Sequence, residues 1–180
     1  MLFSGLFFCT APLSVNALEA ALNFIPDNEG GKISVRVSGI DEDELRAHIL
    51  MGSRSRIVYN IRLYREGRVM QILGDRLLFE GNPVQEARWD MYSASWEILH
   101  ADGQRRFYTD WKTFFKKFME LDGFRVPHSI AGSTEALDGK LYVLARASFL
   151  KTVLKAPLSI LQAFPGREEA KSPWSRLGLP

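Results

Sequence analysis

Cysteine is nearly absent from this chain, and the shortage excludes several classes of site. The 180 residues include one cysteine, Cys9, which lies in the apolar N-terminal segment. A product cleaved after that segment would therefore contain no cysteine. Such a chain has no disulfide, no cysteine nucleophile and no zinc site built from thiolates. The absence is compatible with an oxidising compartment.

An excess of charge of one sign is also lacking. Lysine and arginine together number 23 against 21 acidic residues, which gives a net charge of +2. The basic residues are scattered along the chain and do not form runs, a pattern typical of a solvated surface. We therefore expect no nucleic-acid partner.

Motifs for catalysis or metal binding are missing as well. The three histidines, His48, His100 and His128, lack the spacing of a helical zinc site. There is no Gly-x-Ser-x-Gly elbow and no glycine-rich phosphate loop. Catalytic triads are assembled in space, so a hydrolase of unrecognised type stays open as the alternative. The sequence predicts no enzyme, no cofactor and no metal.

The N-terminal segment has the apolar character of a secretory signal peptide. The run from Leu2 to Leu13 has the length of a signal-peptide core and is shorter than the roughly 20 residues of a membrane span. Small residues at Ala17 and Ala20 offer cleavage points. We interpret residues 1–20 as a signal peptide, which predicts export to the periplasm or cell envelope and no stable transmembrane segment after cleavage.

One feature of this segment departs from the signal-peptide pattern. The first basic residue is Lys32, so the segment lacks the positively charged opening of a signal peptide. A true start upstream would explain the departure. The alternatives are a buried first strand of the domain and an uncleaved membrane tether.

The rest of the chain is dominated by alternating apolar and polar residues, which predicts strands with one buried face. A helix is predicted over 42–51, with Asp41 as its N-cap and Gly52 after its end. Asp102-Gly103 is suited to a hairpin turn. Strands are predicted over 33–38, 56–64, 87–99, 105–108 and 140–150, with further extended segments at 69–73 and 124–130.

A second helix is predicted in the stretch Thr109 to Gly123, which Asp122-Gly123 would end. Its large apolar side chains recur at helical spacing, and its lysines lie elsewhere on the helix surface. Burying such side chains contributes roughly 1.5 to 3 kcal/mol each, which favours a core position. A membrane-surface helix and a partner-binding groove are the alternatives. The apolar stripe consists of Trp111, Phe114, Phe115, Phe118 and Met119.

Together these elements predict a mainly β (α+β) fold. We expect an antiparallel sheet or a two-layer β-sandwich with two amphipathic helices packed on it. A single β-rich domain is predicted over 21–166. Residues 167–180 are polar and bear prolines, so they are predicted to be a loosely held tail apart from Trp174.

The polar faces of the predicted strands supply the candidate binding residues. They mix guanidinium and phenol groups, which could meet a carboxylate, an anionic lipid headgroup or a partner protein. A solvated face, on which arginine stems cover neighbouring strands, is the alternative. An exposed strand edge could also accept a partner strand. The candidate residues are Arg36, Arg62, Tyr64, Tyr142 and Arg146.

The order of several short motifs resembles the bacterial family of unknown function DUF4390, over about residues 32–176. The motifs are Met51-Gly52-Ser53, the strand Ile57 to Tyr64, Ala87-Arg88-Trp89-Asp90, the strand Tyr142 to Ala147, Ala156-Pro157-Leu158 and Ser172-Pro173-Trp174. The resemblance implies an exported or membrane-associated protein with no assigned activity, related to proteins of which some are encoded near membrane sensor kinases. The prediction is an exported, non-enzymatic binding module of the cell envelope, whose partner is an envelope protein or a membrane sensor kinase.

Overall fold

The computed structural model describes residues 17–25, 31–67, 74–125, 140–152 and 167–179, with side chains for all of these except 167–169. Strands make up 60% of the structure, in two antiparallel sheets accompanied by two helices. The predicted mainly β fold with two helices is confirmed. Neither described helix has the length and apolarity needed to cross a membrane.

The elements follow one another as the alternating pattern predicts, with more strands than expected. The helices are α1 (Glu42–Leu50) and α2 (Trp111–Phe118). The strands are β1 (Glu19–Ile25), β2 (Lys32–Ser38), β3 (Arg54–Arg65), β4 (Arg76–Gly81), β5 (Val84–Asp90), β6 (Ser95–Leu99), β7 (Arg105–Tyr108), β8 (Glu120–Arg125), β9 (Leu141–Thr152), β10 (Arg167–Lys171) and β11 (Ser175–Gly178).

The large sheet is built around the two longest strands. Its order is β10-β9-β3-β5-β6-β7, with β11 also on β9 and β4 also on β3. Strands β3 and β9 pair without interruption from Arg54 opposite Thr152 to Arg65 opposite Leu141. The small sheet has the order β1-β2-β8. Side chains alternate along each strand, and the register keeps this alternation aligned between strands. The large sheet therefore has one face that packs against the core and one face directed away from it.

One hydrophobic core joins both sheets and both helices. Its members include Ile33 and Val35 of β2, Leu45 of α1 and Phe114 of α2. From β3 the core takes every second residue, as the alternation predicts. These residues are Ile57, Tyr59, Ile61 and Leu63.

The aromatic stripe of α2 lies in this core, as predicted. Trp111, Phe114, Phe118 and Met119 are buried, and Phe115 is partly buried. Their rings continue into the large sheet, where the centroids of Trp111 and Trp96 are 4.6 Å apart. The Trp111 indole Nε1–H donates to Glu42 Oε1 at 2.6 Å, which joins α2 to α1. Asp110 caps α2 by accepting a hydrogen bond from the Thr113 amide at 2.8 Å.

The end of α2 differs from the prediction. The helix stops at Phe118 instead of continuing to Asp122-Gly123, and β8 starts at Glu120. The Val37 amide donates to Met119 O at 2.8 Å, so the chain begins to pair with β2 directly after the helix. Gly123 has φ 68° at the shift in the β2–β8 register, which explains how a glycine fits inside this strand.

The block 87–99, predicted as one strand, forms two strands with a turn between them. Asp90 makes this turn by accepting from the Tyr92 amide at 3.1 Å and from Ser93 Oγ at 2.7 Å. Tyr92 is 100% exposed, and Ala94 adopts a positive φ of 47°. Tyr92 and Ala94 therefore do not share a face with Trp96, which is buried.

Residues 167–178 are part of the large sheet, which corrects the prediction of a loose tail. Strands β10 and β11 both pair with β9, and Ser172 lies between them. The Ser172 amide donates to Ala147 O at 2.9 Å, and Ser172 Oγ accepts from the Ala147 amide at 2.9 Å. The short strand length and polar composition hid these pairings from the alternation pattern.

The described residues also bear on the predicted cleavage points. Leu18 and Ala20 are buried in the core, and β1 starts at Glu19. Cleavage after Ala17 would leave β1 whole, whereas cleavage after Ala20 would remove two of these core side chains. Most of the predicted signal peptide, the segment 69–73 and residues 126–130, which include His128, lie outside the described residues, as does the motif Ala156-Pro157-Leu158.

Candidate functional site

The side of the large sheet that faces away from the core carries most of the predicted binding residues. On β3 and β9 these side chains alternate with the core residues, and the strand pairing brings them side by side. We call this side the outer face. Tyr64 lies opposite Tyr142, and Arg62 lies opposite Leu144, which is two residues from Arg146 on the same face of β9.

Four of the five predicted residues join in a stacked arrangement at one end of the outer face. The Tyr64 and Tyr142 rings stack with centroids 5.4 Å apart and an interplanar angle of 11°. The Trp174 ring lies 4.3 Å from the Arg146 guanidinium and 5.1 Å from that of Arg62. We call the whole group the arginine–aromatic ladder: Arg62, Tyr64, Tyr142, Arg146, Trp174 and Arg176.

Carboxylates fix the outer members of the ladder. Arg62 pairs with Glu80 at 2.9 Å, and Arg176 pairs with Glu66 at 2.5 Å. Arg176 also lies 3.8 Å above the Tyr142 ring. Ion pairs of this kind, together with cation–π contacts, hold long side chains in defined positions.

The Tyr142 phenol is a permanent hydrogen-bond donor in this arrangement. Burial raises the pKa of Tyr142 to about 12, and its bond to Asp75 adds to the increase. The Tyr142 hydroxyl donates to Asp75 Oδ2 at 2.5 Å. The same bond lowers the pKa of Asp75, and the Gly67 amide lowers it further. Tyr142 is therefore neutral and Asp75 charged throughout the physiological pH range.

Arg146 differs from the other two arginines of the ladder. Its Nε is buried and has no hydrogen-bond partner among the described residues, and the guanidinium lies against Trp174. A buried polar group without an acceptor costs free energy. In the part of the chain that the structure describes, Trp174 is therefore the contact that positions the Arg146 guanidinium.

Arg36, the fifth predicted residue, lies elsewhere. It belongs to β2 in the small sheet, where its side chain is 66% exposed and pairs with Glu120 at 2.9 Å. The alternating pattern of β2 resembles that of β3, but β2 pairs with β1 and β8 instead of with the large sheet. The structure therefore separates Arg36 from the other four residues.

A concave region lies between the β6–β7 turn and β8, and the sequence pattern did not indicate it. Its volume is about 730 Å³. One residue in the sequence could have indicated this region. Gln85 is polar but lies at an inward position of β5, where the alternating pattern favours an apolar side chain. The lining residues that matter chemically are Gln85, His100, Arg106, Lys117, Glu120 and Asp122.

A buried hydrogen-bond network forms one wall of this cavity. The Tyr59 hydroxyl donates to Gln85 Oε1 at 3.1 Å, and Gln85 Nε2 donates to Glu120 O at 3.1 Å. Gln85 Nε2 is also 3.3 Å from His100 Nδ1, which must accept because the amide nitrogen only donates. The His100 proton is therefore on Nε2, 3.4 Å from the Tyr108 hydroxyl. Both ring nitrogens are engaged, which favours a structural role for His100.

Two half-buried histidines make the stability of the fold sensitive to pH. Burial lowers the pKa of His100 and His48 below the ordinary value of 6.5, and the charge of Lys151 lowers that of His48 further. The unfolded state then binds protons more readily than the folded state, so the free energy of unfolding decreases as the pH falls through 6.5. Urea unfolding between pH 8 and pH 5 measures this slope.

Substitution of a histidine separates its contribution to the pH dependence of stability from the contribution of the carboxylates. The slope is expected to become shallower in His100→Gln, because the titrating group is gone. An identical slope in wild type and His100→Gln would contradict the assignment.

No family model, curated protein or solved structure matches the chain, so the resemblance to DUF4390 remains a prediction.

Proposed function

We propose that this protein is an exported, non-enzymatic binding module of the bacterial cell envelope that binds an envelope protein through the arginine–aromatic ladder. A membrane sensor kinase is one candidate partner. The observation that carries the proposal is the position of Trp174, whose ring lies near the guanidiniums of both Arg62 and Arg146. Tryptophan, tyrosine and arginine are the residues most enriched at the energetic centres of protein interfaces.

The side chains of the arginine–aromatic ladder are held in defined positions without a partner. Stacking and ion pairs already fix its side chains, so binding would cost little additional conformational entropy. The Arg176 side chain is 54% exposed despite its pair with Glu66, and its unused N–H groups can reach acceptors outside the chain. Preorganised, partly exposed guanidiniums beside aromatic rings suit recognition of carboxylates and backbone carbonyls.

The charges of the ladder indicate how such binding would respond to salt. Arg62 and Arg176 are paired with Glu80 and Glu66, so little long-range positive potential remains. Affinity would then depend on hydrogen bonds and stacking at short range. We expect binding to be only weakly salt-dependent, unlike binding driven by unpaired charge.

Affinity capture from the native envelope, read by mass spectrometry, tests the proposal. Bait carrying Arg146→Gln or Trp174→Ala is expected to recover at least about tenfold less of a specific partner, since hot-spot truncations cost about 1.4 kcal/mol or more. Arg36→Gln is the matched control, because Arg36 is an exposed, ion-paired arginine of the other sheet. Equal recovery by all four baits would overturn the proposal.

Catalytic turnover by the purified protein would favour the alternative function, a hydrolase of unrecognised type. If the purified domain hydrolysed esters, phosphates or glycosides, a hydrolase would replace the binding module. The cavity beside His100 is where such activity would be sought, and His100→Gln is the variant to compare. Melting temperatures of the variants would show that any difference arises in the site and not in the fold.

A further inference from the structure

A second cluster of arginines lies at the opposite end of the outer face, away from the ladder. Strand pairing places Arg56, Glu86, Leu99 and Arg105 in one row across β3, β5, β6 and β7. A cavity of about 200 Å³ opens among these strands. We call it the arginine pocket, and it is lined by Arg54, Glu86, Arg88, Glu97, Leu99 and Arg105.

Two carboxylates hold the arginines of this cluster in pairs. Glu86 contacts Arg54 at 3.2 Å and Arg56 at 2.6 Å. Glu97 contacts Arg88 at 2.6 Å and Arg105 at 3.6 Å. Each carboxylate therefore fixes two guanidiniums, and the four positive charges exceed the two negative ones, which leaves the cluster a net charge of +2.

The positive charges are also the groups that reach the surface. The side chain of Glu97 is 3% exposed and that of Glu86 is 14% exposed. By contrast, the Arg105 side chain is 63% exposed, and its ion pair with Glu97 is the longest in the cluster. The surface of the pocket is consequently positive, although carboxylates lie beneath it.

Cross-strand pairing alone does not account for this excess of arginine. Opposite charges facing each other across strands stabilise a sheet by about 0.2 to 1 kcal/mol per pair, whereas neighbouring like charges destabilise it. Two arginines would satisfy the two glutamates. The other two repel their neighbours unless an anion compensates them, so the arrangement favours an anionic ligand.

Size and hydrogen bonding define the class of anion. At about 200 Å³, the arginine pocket has room for several water molecules. This space accommodates a tetrahedral oxyanion. Each guanidinium has five N–H donors in a planar fork that matches phosphate oxygens, and Glu86 and Glu97 accept from only a few of them.

Apolar side chains beside the pocket are exposed and could contact the group that carries the anion. Leu99 lines the pocket, and Val84 and Phe107 lie on the same outer face, at positions paired with Val58 and Glu97. All three are exposed. We propose that the arginine pocket binds a phosphate group, either as a free phosphorylated ligand or as the headgroup of an anionic phospholipid.

Isothermal titration calorimetry with inorganic phosphate tests the site itself. The reference is a titration with chloride at the same ionic strength. Arg105→Gln and Arg54→Gln are each expected to raise the dissociation constant at least tenfold. Arg105 has a single weak ion pair, so its removal should leave the fold intact. Arg36→Gln in the small sheet is the matched control and should bind as wild type. Absence of phosphate binding, or equal binding by all variants, would overturn the proposal.

Vesicle flotation distinguishes the two sources of phosphate. Vesicles containing phosphatidylglycerol are compared with vesicles of phosphatidylcholine alone. Flotation with the anionic vesicles, lost in Arg105→Gln, would identify a lipid headgroup. Phosphate binding without flotation would identify a free phosphorylated ligand. Neither experiment uses the protein partner of the ladder, so the two proposals can fail separately.

Discussion

The Trp111→Asp variant is expected to lose cooperative thermal unfolding. Trp111 is buried between both helices and the large sheet, in contact with Trp96, Phe114 and Phe115. Removing a buried aromatic side chain costs about 3 to 5 kcal/mol. The new carboxylate would also lie near Glu42, the acceptor of the indole N–H, and two close carboxylates repel each other.

These costs together approach the roughly 5 to 15 kcal/mol by which folded domains are stable. Circular dichroism during heating measures the outcome, with Lys112→Gln as the control. Lys112 is exposed on the same helix, and its replacement changes the charge by the same amount. A variant with the thermal stability of wild type would show that the aromatic stripe of α2 is not part of the core.

Deleting residues 167–180 is expected to destabilise the domain by several kcal/mol. Strands β10 and β11 each pair four residues with β9. Since a net hydrogen bond contributes about 0.5 to 1.5 kcal/mol, loss of both pairings removes at least roughly 4 kcal/mol. The deletion also uncovers core residues, because Ala170 and Leu179 pack against the hydrophobic cluster.

Urea unfolding of the truncated and complete chains checks this expectation. A chain that lacks only Pro180 is the control and should unfold at the same urea concentration as the complete protein. If the deletion of 167–180 left the midpoint unchanged, these residues would be the loosely held tail that their composition suggests, and the pairing on β9 would be wrong.

Residue patterns predicted the long elements of the fold well. In β3 and β9 the alternation extends over many residues, so chance variation does not hide it. The cap of α1 was predicted at Asp41 and that of α2 at Thr109 or Asp110, because such residues before an apolar-periodic segment have a specific hydrogen-bonding role. Asp41 and Asp110 both accept from the amide three residues later.

Short or interrupted elements were missed for physical reasons that the sequence does not display. The turn after Asp90 contains neither glycine nor proline, so the alternation continues across it. Strand β8 contains Gly123 and Asp122, residues that usually end strands, and a bulge accommodates them. The pairing of β10 and β11 depends on the free edge of β9, which is a property of the tertiary structure.

The sequence predicted which side chains lie on the polar faces of the strands. It did not predict which of them come together in one site. The pattern places Tyr64 and Tyr142 on polar faces, but their stacking depends on the register between β3 and β9. Arg36 shows the same pattern and lies in the other sheet. The arginine pocket was missed entirely, because it draws its side chains from four strands whose order cannot be read from alternation alone.

The pairing of β3 with β9 also determines when this fold can form. These strands meet along their whole length, yet β4 to β8 and α2 lie between them in the chain. Contacts between such distant segments require closure of a large loop first, which slows folding. During synthesis the ribosome releases β3 long before its partner exists. The centre of the large sheet can therefore close only late in biogenesis, once β9 has emerged.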